Sequence, residues 1–248
     1  MLNDNLENLL TDLGATTPAV IAEFKGVFDR SLPIVPIPFF GNLETARVLT
    51  VGLNPSDGEM RGRNWAGIDS ATACARLTKY FNGADFPPHP WFESWERALN
   101  EIGASFVDGT AAHIDLCPWP TRPMSGLPDA ERFEALIRQS LPWFWRCIRL
   151  ARSRRLVLMA GAVTKQYYLN EYLAKMGESE VTGILGKVPR GGKAFVGYQR
   201  IRVDNKETPV FFCSVSPSAR TAKFLPMRIR ENNVRLKELL RQPETLSL

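Results

Sequence analysis

The chain has 248 residues, 44% of them hydrophobic and 23% charged, and a formal net charge of +5. This is the composition of an ordinary globular protein, long enough to bury a full core without staples. The mild basic bias permits an anionic partner without demanding one, and a solvated basic surface explains it equally well.

Met1 to Glu7 is polar and acidic and does not read as a signal peptide. The spacing predicts a first helix over Pro18 to Arg30. Ser31 to Pro38 is punctuated by proline and reads as an extended linker. Arg47 to Gly52 is an apolar, β-branched run, the pattern of a buried strand. It stops in Gly52-Leu53-Asn54-Pro55-Ser56, a tight loop. A long loop follows from Asp57 to Asp69, rich in Gly and Arg and carrying Trp65. Ala71 to Phe81 and Trp91 to Ile102 have amphipathic helical spacing.

A second strand over Thr110 to Leu116 ends in Cys117-Pro118-Trp119-Pro120. Ala130 to Ala151 is the longest helical pattern, broken or kinked near Pro142. Arg155 to Ala160 reads as a third strand, with a helix beyond it to about Met176. Ala194 to Val203 and Pro209 to Val215 form a hairpin around Asp204 to Thr208, its second arm a core strand. That arm runs into Ser216-Pro217-Ser218-Ala219-Arg220-Thr221-Ala222-Lys223. A last helix covers Pro226 to Arg241. No apolar stretch approaches membrane-spanning length. The four cysteines fit no disulfide framework, zinc site or iron–sulfur pattern, which suits a reducing cytoplasm.

Strands separated by helices imply an α/β fold with a mostly parallel sheet. Ligands then bind at the carboxyl ends of the strands. Three of those ends carry unusual loops: Asn54-Pro55-Ser56, Asp115-Leu116-Cys117-Pro118, and Ser216-Pro217-Ser218. Pro55 fixes φ and biases Asn54 away from the helical region, so the loop can hold an amide rigidly. His113 and Asp115 share one face of their strand by the period-two rule. They could form an acid–base or metal pair, or His113 could simply be packed at the sheet end. No phosphate-binding glycine loop, nucleophile elbow or dinucleotide fingerprint appears.

These loops, in this order, resemble the motifs of the uracil-DNA glycosylase superfamily. Gly52-Leu53-Asn54-Pro55-Ser56 is similar to the first motif of its mismatch-specific and single-strand-selective branches. Ser216-Pro217-Ser218-Ala219-Arg220 is similar to the second motif, and His113-Ile114-Asp115-Leu116-Cys117-Pro118 to the middle, pyrimidine-reading motif. The likeness covers Arg47 to Lys223. It implies a single domain over 1–248, with residues 1–46 packed on it. It also implies a three-layer α/β/α sandwich around a four-stranded, mostly parallel sheet.

The resemblance implies Asn54 and Ser216 as the catalytic positions, Asn54 positioning the water that attacks the sugar C1′. Gly52, Leu53, Trp65 and Asp115 would hold the base, Trp65 by stacking; a core or loop anchor is the other reading of Trp65. Ser56 and Ser218 would contact DNA phosphates, Arg220 would wedge into the base stack and Lys223 would add a phosphate contact. A solvated basic turn is the other reading of Arg220 and Lys223. No cofactor, metal or membrane is implied, and the protein is expected to be a cytoplasmic monomer acting on DNA.

The chain departs from the superfamily in three places. Ser216 stands where the classical enzymes have a histidine that stabilises the departing uracil anion. Asp115 stands where an asparagine reads the base. An ionised carboxylate only accepts hydrogen bonds and would favour amino-bearing bases, whereas a protonated one could donate to uracil O4. The iron–sulfur cysteines of the thermophilic branches are absent. The expected activity is hydrolysis of the N-glycosidic bond of a deaminated or damaged, uracil-like base. The alternative is a glycosylase-like protein without catalysis that binds nucleic acid or a nucleotide.

Overall fold

A computed structural model describes residues 4–29, 31–60, 65, 67–83, 87–122, 130–161, 196–204, 206–213, 215, 217 and 224–241. Its α-helices are α1 (Leu6–Glu23), α2 (Ser70–Thr78), α3 (Trp91–Asn100), α4 (Ala130–Leu150), α5 (Phe224–Glu231) and α6 (Asn233–Arg241). Its strands are β1 (Phe39–Phe40), β2 (Val48–Gly52), β3 (Ala111–Asp115), β4 (Leu156–Ala160), β5 (Val196–Val203) and β6 (Lys206–Cys213).

The strands form one mixed sheet in the order β1-β3-β2-β4-β6-β5. The inner run β3-β2-β4-β6 is parallel throughout. β1 and β5 are antiparallel edges, paired to β3 and β6. Among the described residues the sheet has six strands, not four. One extra strand is the first arm of the hairpin. The other is the Phe39–Phe40 pair at the end of the proline-rich linker, too short to leave a periodic signal. β2, β3 and β4 are buried at every residue, so both faces of the sheet centre are covered. α1 packs on α2 and α4, and α5 packs on α3.

Several boundaries differ from the sequence-based expectation, each for a local reason. The first helix begins at Leu6 rather than Pro18, because the Asn5 side chain caps it by accepting from Asn8 N at 2.8 Å. Leu6, Leu9, Leu10 and Leu13 then form a buried stripe, and Pro18 is carried inside the helix. α4 runs unbroken past Pro142. The last helical pattern is divided at Asn232. Its side chain donates to Arg228 O at 2.9 Å and accepts from Tyr198 Oη at 3.0 Å, which replaces helix bonds lost at the break. The hairpin closes at Val203 opposite Lys206, with Asp204 in the left-handed region at φ 50°. The helix expected up to Met176 lies outside the described residues. Among the described residues no helix is long and apolar enough to cross a membrane.

The cysteines report on this packing. Cys117 and Cys147 are fully buried, and burial pushes their thiols up to about 12; Cys213 is pushed up to about 11. Cys74 is only half-buried. At pH 8 a water-soluble thiol reagent should label Cys74 first, and the other three only after unfolding. Mass spectrometry of the labelled native protein checks this. Rapid labelling of Cys117 or Cys147 would contradict the core.

Candidate active site

The carboxyl ends of the parallel strands open on a cavity of about 350 Å3. Gly52 to Ser56 line it after β2, Asp115 at the end of β3, Ala160 at the end of β4 and Pro217 beyond β6. This is where the topology of an open α/β sheet directs a ligand. Phe40, Trp91 and Phe92 supply the apolar walls.

The loop after β2 keeps sheet pairing for a further step before it turns. Leu116 N donates to Gly52 O at 3.1 Å, and Cys117 N to Leu53 O at 3.0 Å. The Leu53 carbonyl is thus committed, and the side chain of Leu53 is half-buried. The Asn54 amide is held more tightly. Its Nδ2 donates to Pro55 O at 2.7 Å and to Thr121 Oγ1 at 2.9 Å. Pro55 O can only accept. Thr121 Oγ1 donates its single proton to Arg122 O at 3.0 Å, so toward Asn54 it too accepts. These partners fix which end of the amide is nitrogen. Both N–H groups are engaged, and Oδ1 has no protein partner among the described residues. The pole left for a water or ligand is an acceptor.

Thr121 is 1% exposed and was not singled out in the sequence. It reaches Asn54 because the segment after β3 is buried and tied down. Ile37 N donates to Pro118 O at 2.6 Å, Trp119 Nε1 donates to Thr17 Oγ1 at 3.0 Å, and Thr121 bridges to Ser56. The proline-rich run Cys117 to Pro120 was the available signal for such a rigid arm.

Beneath the loop lies a buried polar row. Thr50 is the register partner of His113, and Gly52 of Asp115. Thr50 Oγ1 lies 2.7 Å from His113 Nδ1 and 3.5 Å from Ala112 O. Both ring nitrogens of His113 are therefore engaged, Nδ1 with Thr50 and Nε2 with Asp115. Nε2 is 3.3 Å from Asp115 Oδ1. His113 is 2% exposed and Asp115 3%. The imidazole is wedged edge-on against Trp91 and Phe92, with ring centroids 5.1 and 5.2 Å away. Among the described residues no group of three His, Cys, Asp or Glu side chains could hold a metal ion.

Gly52 is the residue that permits this row. A Cβ there would collide with Asp115 Oδ1 and His113 Nε2. The backbone of β2 forms the floor against which both side chains lie.

A further carboxylate was also missed. Glu59 is 3% exposed and lines the cavity. A single 3-10 turn, Asp57–Glu59, folds it back toward the strand end, and Ser56 caps the turn by accepting from Gly58 N at 3.1 Å. Tyr80 Oη donates across both Glu59 oxygens, at 3.0 and 2.9 Å. The Asp-Gly-Glu directly after Pro-Ser was its only trace in the sequence.

The other sequence candidates fall as follows. Ser56 is exposed at the cavity rim. Trp65 is 2% exposed and outside the cavity; its Nε1 donates to Glu59 O at 3.0 Å, so it braces the turn that carries Glu59. Ser216, Ser218, Arg220 and Lys223 lie outside the described residues. No protein-family model matches the chain, and no curated protein matches it.

Gly52→Ala should lower the unfolding free energy by about 1–3 kcal/mol, the cost of forcing a methyl into a packed site. Urea denaturation measures it. An unchanged midpoint would show that Asp115 and His113 are not held against β2.

Proposed function

We propose that this chain is a glycosylase of the uracil-DNA glycosylase superfamily, built as a three-layer α/β/α sandwich. It would hydrolyse the N-glycosidic bond of a deaminated or damaged base in DNA without a cofactor. The observation that carries this reading is the Asn54 amide. Its nitrogen is committed to Pro55 O and Thr121 Oγ1, leaving its oxygen at the edge of a cavity of about 350 Å3. Flipping a nucleotide out of the stack would bring its base into that cavity and its C1′ near the rim.

In this mechanism Asn54 Oδ1 accepts a hydrogen bond from a water and aims a lone pair of that water at C1′. The C1′–N bond breaks as the water oxygen attacks, and the base leaves with the bonding electrons. An amide orients water but is a poor base, so much of the rate must come from stabilising the charge that develops on the base. Ser56 and Ser218 would bind phosphates flanking the flipped nucleotide. Arg220 would fill the space it vacates, and Lys223 would add a phosphate contact. By the resemblance, Ser216 would offer its hydroxyl to the leaving base.

The second reading is a pocket that binds a nucleotide or nucleic acid without cleaving it. The buried Asp115 favours it, because a carboxylate is an unusual reader of a pyrimidine with two carbonyls.

The test is base release from single- and double-stranded oligonucleotides carrying modified bases, for wild type and Asn54→Ala. The variant should lose on the order of 10²–10³ in rate. It should still bind DNA, with affinity falling as salt rises. Equal rates would remove Asn54 from the chemistry. Salt-sensitive binding with no release by wild type would favour the second reading.

A further inference from the structure

The polar groups of the cavity are matched to a particular kind of base. Two acceptors stand around it: Asn54 Oδ1, left over when its nitrogen is committed, and the carboxylate of Asp115. Asp115 is the more exacting. It is 3% exposed, and among the described residues its side chain has one hydrogen-bond partner, His113 Nε2 at 3.3 Å. A buried carboxylate with one long hydrogen bond is costly unless a ligand completes it. The group it lacks is a second donor. His113 has no further nitrogen to offer, because Nδ1 lies 2.7 Å from Thr50 Oγ1 and Nε2 faces Asp115. His89 adds one donor at the cavity: its Nδ1 accepts from Trp91 N at 3.2 Å, so its proton sits on Nε2. The walls are Phe40, Trp91 and Phe92, whose π-faces and edges suit a flat ring, and a π-face attracts a cation.

Uracil fits this surface poorly. It offers Asp115 a single N3–H donor flanked by two carbonyl oxygens, and it would leave as an anion beside that buried side chain. We infer that the cavity takes an N-alkylated, positively charged base bearing an exocyclic amino group, with its amino edge on Asp115. The inference rests on the glycosylase reading above and names the substrate class of the same site.

The chemistry balances without a further reagent. The ring of such a base carries one positive charge. As the C1′–N bond breaks, its electron pair returns to the ring and the base departs neutral. Water adds to C1′, and its second proton is released to solvent. The products are a neutral alkylated base, an abasic sugar and one proton. No developing anion needs stabilising, so Ser216 in place of a histidine is no handicap. A weak water-positioning amide suffices because the leaving group is already activated.

The test uses the full chain and oligonucleotides carrying one 3-methylcytosine, one 7-methylguanine or one uracil at the same position, in single-turnover release assays. Wild type should release at least one of the methylated bases roughly ten-fold or more faster than uracil, the scale of one base-edge hydrogen-bond pair. Asp115→Asn should narrow or reverse that preference. Wild type that releases uracil fastest overturns this inference and leaves the glycosylase reading in place. Wild type that releases none of the three, yet releases another modified base, also overturns it alone. Wild type that releases no base from any oligonucleotide overturns both.

Discussion

The site depends on one constraint, the commitment of both Asn54 N–H groups, one of them to a carbonyl that can only accept. Pro55 O is a carbonyl, and Thr121 Oγ1 has given its proton to Arg122 O. An asparagine on a free loop presents either end of its amide to a ligand. Here rotation by half a turn would set the amide oxygen against Pro55 O, and Thr121 Oγ1 would either take its proton from Arg122 O or leave its bond to Asn54 unmade. The arrangement preorganises an acceptor at the cavity, and preorganised dipoles act on a reaction without reorganisation cost. The rest of the fold serves to deliver Thr121. It arrives on a buried, proline-stiffened arm after β3, tied to α1 through Trp119 and Thr17.

The second layer of the site comes from sheet register. Parallel pairing sets Thr50 beside His113 and Gly52 beside Asp115. A hydroxyl, an imidazole and a carboxylate are thereby aligned under the loop. The missing side chain of Gly52 is the space they occupy. A one-residue slip of β3 against β2 would turn His113 and Asp115 to the other face of the sheet. The fully buried strands on either side make such a slip costly, since every residue of β2, β3 and β4 is in the core.

The strand ends were legible in the sequence, because β-branched runs that stop at Gly or Pro have few other meanings. Asn54 and Asp115 were found that way, and the cavity brings both together with Gly52, Leu53 and Ser56. What periodicity could not show was contact between distant segments. Thr121 lies 67 positions from Asn54 and has no motif of its own. Glu59 returns to the cavity only because of a single 3-10 turn braced by Trp65. Two-residue β1 was invisible inside the proline-rich linker. Pro18 looked like a helix start, the position proline favours, but the Asn5 cap and the leucine stripe ahead of it outweigh that preference. The aromatic walls Trp91 and Phe92 were read only as part of an amphipathic helix, and nothing in that pattern says which apolar residues border a cavity.

The most direct measurement is the single-turnover rate of base release by Thr121→Val beside Thr121→Ser. Valine keeps the volume and removes the acceptor. Asn54 then loses one of its two fixed partners, and its amide is free to turn. The account predicts that Thr121→Val falls on the order of ten-fold, the scale of one lost hydrogen bond at a positioned group. Thr121→Ser, which keeps the hydroxyl, should stay near wild type, and both variants should unfold cooperatively. A Thr121→Val rate equal to wild type would contradict the claim that the locked amide drives the chemistry.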